Sequence, residues 1–435
     1  MTAYPTTRPT VLLATTSSYY PAARLVMALA DAGCTVDAMC PAQHPMRLTN
    51  ALRHAYTYRG LAPMLSLTRA ITSAQPDLIV SGDDLATHHL HQLYERERQE
   101  GKKDSQLSAL IERSLGNPHS FSIVRDRSAF MDLARETGIR VPSTQIVKNT
   151  DELKRCIAKT GLPAVLKANG TSGGDGVKIA RTLAEAEDAL EKLQVPPLLA
   201  RAVKRALIDH DQTLVWPSIA RRHHTVNLQA FVAGQEATST VFCWNGAVLA
   251  SLHFEVVNKA SSAGHATVVR LIEHAEMSSA VERMVARLGL SGFCGFDFML
   301  EAETRNAYLI EINPRATQVG HLNLGPGRDL PAAMCAALAG KAEQLTPKIA
   351  EKVTEKDTIA LFPQEWIRDP QSPALQSAYH DVPWQEPALI RDCVRNREKQ
   401  SGWYSRRSRK QARAEAQASA PVAAVCRAGK QEIIV

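Results

Sequence analysis

Phe296-Asp297-Phe298-Met299, answered by Leu309-Ile310-Glu311-Ile312-Asn313-Pro314-Arg315, is the stretch on which the reading of this 435-residue chain turns. It reads as a hairpin, Gly295 to Met299 against Ala307 to Asn313. Side chains on a strand alternate between faces, so Glu311 and Asn313 share one face with Arg315 just beyond it, while Tyr308, Ile310 and Ile312 take the other. Asp297 sits on the preceding strand, with Phe296 and Phe298 on its opposite face, within cross-strand reach of Glu311. Two carboxylates and an amide oxygen with open positions suit magnesium, which binds through a few protein oxygens and completes its shell with phosphate and water. A solvated hairpin face carries the same residue types. What favours the metal reading is that Asp and Asn, poor strand formers, interrupt otherwise β-favouring runs.

Upstream lies Leu166-Lys167-Ala168-Asn169-Gly170-Thr171-Ser172-Gly173-Gly174-Asp175-Gly176-Val177. Glycines at 170, 173, 174 and 176 free the backbone to fold its amides around phosphate oxygens, and Lys167 adds a cation at the strand end. No Gly-Lys-Ser/Thr follows, so this is not a P-loop. The bland alternative is a flexible turn with an incidental lysine. Around it the pattern predicts a helix Asp151 to Lys159 capped by Thr150, strands Pro163 to Ala168 and Val177 to Arg181, and a helix Leu183 to Leu193. That is a small α+β module of a lid's size, with the glycine run as a movable flap over a nucleotide.

Further out, apolar runs alternate with helical periodicity from Val11 to Glu95: strands at Val11 to Ala14, Cys34 to Met39 and Asp77 to Val80, helices at Pro21 to Ala32, Met46 to Arg53, Met64 to Ser73 and Leu85 to Glu95. The order implies a parallel, Rossmann-like first domain, and its first turn, Thr15-Thr16-Ser17-Ser18, is no dinucleotide-binding loop. A helix Asp126 to Thr137 and an extended Thr144 to Val147 follow; residues 195–224 read as an irregular insertion with one helix near Arg201 to Ile208. Strands are expected at Val226 to Val232, Thr238 to Trp244 and Ala247 to Val257, turning at Gly234 and Asn245-Gly246, then a helix His274 to Leu288. His88, His89 and His91 read as a solvated helix face rather than metal ligands. Asp83-Asp84, just past a strand end, reads as a helix cap or as a contact for an amine.

With these motifs in place, residues 115 to 340 resemble the ATP-grasp superfamily, which includes carbamoyl phosphate synthetase, biotin carboxylase and many carboxylate-amine ligases. The resemblance implies a Rossmann-like pre-ATP-grasp domain over 1–115, a lid subdomain and linking helix over 116–225, and a metal-bearing subdomain over 226–345. A C-terminal extension, 346–400, and a basic disordered tail, 401–435, would follow. It assigns Lys167 and Arg127 to the phosphates, Gly170, Ser172, Gly173, Gly174 and Gly176 to the flap, and Gln229-Ala230-Phe231-Val232 to adenine. Glu236 would take the ribose hydroxyls, Asp297, Glu311 and Asn313 the metal, and Arg315 the transferred phosphate. Gln229 departs from the more usual Glu of that family. Lys259 to His265 fills the place of the acceptor loop, where Lys259 touches the γ-phosphate or is merely exposed. The implied cofactors are ATP and magnesium, with manganese able to replace it; the implied reaction is amide formation from a carboxylate and an amine through an acyl phosphate. A carboxylase, a carboxylate kinase and a non-catalytic nucleotide-binding protein remain open alternatives. Homodimers are common in the resembling family.

Composition is consistent with an ordinary two- or three-domain enzyme: 45% hydrophobic, 22% charged. Eight cysteines without a Cys-x-x-Cys pair argue against a disulfide framework or zinc ribbon and point to a reducing cytoplasm. No leader or membrane-spanning run is expected. Residues 391–435 hold eleven Lys/Arg against four Asp/Glu, so the whole net charge of +7 sits in the tail and the body is neutral. Arg406-Arg407-Ser408-Arg409-Lys410 lacks the aromatic interleaving that stacks bases, which disfavours nucleic acid as a partner.

Overall fold

The run Val11–Ala14 is apolar throughout because it is covered on both faces. It forms the centre of β1 (Thr10–Ala14), flanked in parallel by β2 (Thr35–Cys40) and β4 (Leu78–Ser81). The computed structural model describes residues 8–102, 104–169, 176–194, 225–261, 264–340 and 352–396. The four-stranded sheet runs β3-β2-β1-β4, with α1 (Tyr20–Asp31) joining β1 to β2, α2 (Pro63–Ala74) joining β3 to β4, and α3 (Asp84–Gln99) and α4 (Gln106–Leu115) following β4.

The first departure from the expected order follows β2. The helix expected over Met46 to Arg53 is a short 3-10 turn, Pro45–Leu48, followed by the edge strand β3 (Leu52–Thr57). This strand is half exposed and lacks an apolar run; it is held by parallel pairing to β2 and by Arg53, whose guanidinium grips the buried Asp37 at 2.8 and 2.9 Å. The histidines of α3 are a second correction: His89 and His91 are buried, His89 beside the Tyr58 hydroxyl at 3.1 Å and His91 stacked on Phe121. They are core rings, neither solvated nor grouped as metal ligands.

A smaller antiparallel sheet, β5 (Thr144–Val147), β8 (Val226–Ala230), β6 (Ala164–Ala168) and β7 (Val177–Ala180), follows in that spatial order. With α6 (Thr150–Thr160) and α7 (Leu183–Gln194) it encloses its own core of Leu153, Leu166, Leu190 and Leu228. The cap of α6 is Asn149, which accepts from Glu152 N at 2.9 Å; Thr150 is the first helical residue instead. The predicted 195–224 insertion, its helix, most of the glycine run and the basic tail lie outside the described residues.

The third sheet has the order β13-β12-β9-β10-β11-β14-β15. Its long strands are β9 (Gly234–Trp244), β10 (Ala247–Lys259), β12 (Gly292–Glu301) and β13 (Ala307–Asn313); β11 (Ala266–Leu271), β14 (Thr358–Ala360) and β15 (Tyr379–His380) extend one edge. Asn245 and Gly246 make the β9–β10 turn with φ of 50° and 80°, the left-handed pair such a tight hairpin needs. On one face of the sheet α5 (Arg127–Glu136) and α8 (Ala275–Leu288) bury Phe130, Met131, Val281 and Met284 against Phe296, Phe298 and Leu309. That packing brings the first residue of α5, Arg127, to the end of β13. The N-terminal sheet docks beside it: Ala316 N donates to Ser81 O at 2.9 Å and the Thr87 hydroxyl to Pro314 O at 3.0 Å.

The chain divides into two units, Met1–Val382 and Pro383–Val435; in the second, a helix over 387–396 is described. Among the described residues no helix is long and apolar enough to cross a membrane.

Candidate active site

Asp297 and Glu311 are direct partners across the β12–β13 ladder, and Asp297 also faces Thr238 on β9. The strand parity holds for Glu311 and Asn313, but a bulge intervenes between the pairs Asp297/Glu311 and Phe298/Leu309. Ile310 is the extra residue, so Leu309 and Ile312, rather than Ile310 and Ile312, are buried in the core. The expected Tyr308-Ile310-Ile312 face is thereby corrected.

The acidic groups are held by specific bonds. Thr238 Oγ1 donates to Asp297 Oδ1 at 2.9 Å, and Asn313 Nδ2 donates to Asp297 Oδ2 at 2.9 Å. Arg315 Nη2 donates to Asn313 Oδ1 at 3.0 Å, while its Nε lies 3.0 Å from Asp84 Oδ1. Glu311 pairs with Arg127 at 2.7 Å, and Arg127 also reaches Ala168 O at 3.4 Å, next to Lys167. Lys259 pairs with Glu236 at 2.6 Å, although one was expected on phosphate and the other on ribose.

The titration shifts follow from this crowding. Burial pushes the Asp297 carboxyl up to about 6, Glu311 across the ladder adds to the rise, and bonds from Thr238 and Asn313 oppose it. Burial brings the Lys167 ammonium down to about 8, with Glu311 raising it and Arg127 lowering it. Arg315 is held above its ordinary value: burial opposes its charge, but Asp84, Tyr19 and Asp83 outweigh burial. Two carboxylates forced together, one reluctant to ionise, form a donor set that a divalent cation relieves. With one amide oxygen beside them, their number and hardness fit magnesium completed by phosphate oxygens.

Arg127, Lys167, Asp297, Glu311, Asn313 and Arg315 are therefore one cluster, contributed by α5, β6, β12, β13 and the segment after β13. Glu236 also acts on Lys167 through its charge. Gln229 is placed differently: its buried carboxamide donates to Thr144 Oγ1 at 3.0 Å inside the small sheet. Beyond it Ala230 and Val232 are partly exposed and Phe231 exposed. Gly176 is described, whereas Gly170, Ser172, Gly173 and Gly174 lie outside the described residues.

One contributor escaped the sequence reading, and a second pair had its two roles left undivided. Thr238 is detectable only through its cross-strand register with Asp297. Of Asp83-Asp84, Asp83 is the helix cap, accepting from Ala86 N at 2.8 Å, and Asp84 is the one on Arg315.

Residues 126–322 match the family described as the carbamoyl-phosphate synthase L chain, ATP binding domain. The carbamoyl phosphate synthase large chain of Pseudomonas syringae pv. tomato is 25% identical over 204 residues, 46% of this chain and 17% of that protein. The N-terminal section of the Methanopyrus kandleri large chain is 26% identical over 199 residues, 45% of this chain and 33% of that one. The chain thus spans a third or less of the length of these curated relatives. Among solved structures, the biotin carboxylase domain of Hydrogenobacter thermophilus 2-oxoglutarate carboxylase, with MgADP, ADP and bicarbonate, is similar with a TM-score of 0.54. It is 16% identical, over 76% of this chain and 70% of that one. N5-carboxyaminoimidazole synthase of Aspergillus clavatus, with ADP and an aminoimidazole ribonucleotide, gives 0.54 at 15% identity, over 76% and 77%. At such identities the likeness is one of fold.

Proposed function

The chain belongs to the ATP-grasp superfamily, and from that premise we propose that it is an ATP-dependent ligase joining a carboxylate to an amine through an acyl phosphate. The observation that carries this reading is the Arg127–Glu311 ion pair at 2.7 Å, which sets a phosphate-seeking cation beside the acidic face of β13 and the Lys167 strand.

In this reading residues 1–115 form the pre-ATP-grasp domain, the small sheet is the lid, and residues 226–345 carry the metal site. Asp297, Glu311 and Asn313 would hold magnesium, whose charge, when bound, offsets that of the β- and γ-phosphates. Arg127 and Lys167 orient the phosphates, and Arg315 faces the one transferred. Main-chain groups of Phe231 and Val232 meet adenine in preference to the Gln229 side chain, which Thr144 already engages. Glu236 takes the ribose. A substrate carboxylate oxygen attacks the terminal phosphorus and the bond to ADP breaks. The amine nitrogen then attacks the acyl carbon, and phosphate departs with the bonding pair and, overall, one amine proton. The glycine run Gly170–Gly176 is assigned to covering the acyl phosphate from water.

The test is ADP release across a panel of small carboxylates paired with amines, with Glu311→Ala as control. Release that needs both partners and yields an amide supports the ligase. Release driven by bicarbonate places the protein with the carboxylases, and nucleotide binding with no release on any pair would refute the catalytic reading.

A further inference from the structure

The carboxyl edge of the N-terminal parallel sheet is where an open α/β sheet receives a ligand, and here it is fastened to the segment that bears Arg315 through Ser81, Thr87 and Pro314. The loops leaving β1, β2 and β4 carry Thr15, Thr16, Ser17, Ser18 and Tyr19, then residues 41–46, then Gly82, Asp83 and Asp84, with no Lys or Arg among them. Arg47, the next residue of the β2 loop, is turned onto Pro41 O at 3.2 Å and Thr57 Oγ1 at 2.9 Å, and Arg59 follows the far edge strand β3. His44 adds no charge, since burial and Arg47 hold its ring down at about 3. This wall offers hydroxyls and carboxylates, an unfavourable lining for an anion and a favourable one for an ammonium group.

The two carboxylates differ in what they have left to give. Asp83 is saturated: it accepts from the Thr15 and Thr16 hydroxyls, from Thr16 N and Ser17 N, and from Ala86 N. Asp84 has one oxygen against Arg315 Nε, and its side chain is 46% exposed, against 18% for Arg315. We propose that Asp84 recognises the positive charge of the acceptor amine and holds it beside Arg315, so that the substrate class on that side is a primary ammonium rather than a phosphorylated or neutral acceptor. The inference rests on the ligase reading. It adds a dual duty for one residue: one oxygen steadies the arginine that faces the transferred phosphate, and the other holds the ammonium, which gives up one proton to solvent before the freed lone pair meets the acyl carbon.

Hydroxylamine separates the two duties, because it is largely uncharged near neutral pH and traps acyl phosphates as hydroxamates without needing an ammonium site. The experiment supplies ATP, magnesium and the carboxylate panel with either hydroxylamine or each standard amino acid as amine, and compares the protein with Asp84→Asn and Asp84→Glu. Asp83 keeps the helix capped in both variants. The expected result is a ratio of amide to hydroxamate that falls about tenfold or more in Asp84→Asn, the loss of one charge-assisted contact, through a higher KM for the amine. Asp84→Glu restores part of it. An equal fall in both products overturns the proposal, since Asp84 would then act through Arg315 alone. If no carboxylate of the panel gives hydroxamate with the unaltered protein, the acyl phosphate reading fails and this inference falls with it.

Discussion

Replacing Asp297 by asparagine should stabilise the metal-free protein while abolishing ADP release. Burial and the facing Glu311 raise the Asp297 carboxyl from 3.8 to about 6. At neutral pH the folded chain must therefore ionise a group that resists it. Each unit is worth about 1.4 kcal/mol, so the cost is near 3 kcal/mol, and roughly 2 kcal/mol once solvent screening of a partly open site is allowed for. Asparagine keeps the bonding: its Oδ1 accepts from Asn313 Nδ2 as the carboxylate does, and its amide donates to Thr238, whose hydroxyl turns to accept. The sign follows from linkage. The folded chain holds this proton more tightly than the unfolded one, so the penalty is absent below 3.8, opens as pH rises, and is complete above about 6. Urea unfolding with a chelator present, at about pH 4 and about pH 8, measures it. The asparagine variant should gain roughly 2 kcal/mol at the higher pH and little at the lower. A variant no more stable than the parent at the higher pH, or a gap that ignores pH, refutes the reasoning. Stability gained where activity is lost is the signature of a site built for a cation.

Lys167, brought down to about 8 by burial, loses its charge in the empty protein as pH rises through that value. ATP affinity measured by calorimetry should fall across that range, and Lys167→Met should be about tenfold or more weaker and flat; a flat parent curve would count against a phosphate role. His253 is a buried neutral ring between Ser239 Oγ at 2.7 Å and Ser278 Oγ at 3.0 Å, and burial lowers it to about 4. Its contribution is fully present above 6.5 and lost as pH falls towards 4, up to ~3 kcal/mol, a slope in unfolding midpoints that His253→Gln should remove. Gly295 stands opposite Asn313, and a Cβ there would lie 2.4 Å from Thr317 Cγ2. Gly295→Ala should displace Thr317 from its bond to Thr240, cost about 1–3 kcal/mol of stability, and slow ADP release; an unchanged melting temperature and rate would show that the strand end absorbs the methyl freely.

What was legible in the sequence was whatever depends on neighbours along the chain. Strand parity put Glu311 and Asn313 on one face, and β1, β2 and β4 declared themselves as apolar runs because parallel strands are covered on both sides. Where a distant partner decides, the reading failed. β3 is a strand because β2 pairs with it and Asp37 takes Arg53; nothing in Leu52–Thr57 alternates strongly enough to say so. The Ile310 bulge has no local mark either. β14 and β15, three and two residues long, are too short for any period to appear.

Asp83-Asp84 is the instructive case, because the residue types permitted either role and only tertiary placement separates them. One carboxylate would suffice to cap α3, and Asp83 does so while also gathering the β1 loop. If Asp84 served the helix alone, an early acidic residue would stabilise it by only about 0.3–1 kcal/mol through the helix dipole, and it would have no reason to lie on Arg315. Instead it faces Arg315, which also contacts Asn313, so three contacts join Asp84 to Asp297. On the proposed ligase reading, that chain of side chains would join the acceptor on one sheet to the phosphate end of the other. Asp84→Asn should then weaken ATP affinity as well as amine use; an unchanged ATP affinity by calorimetry would separate the two ends.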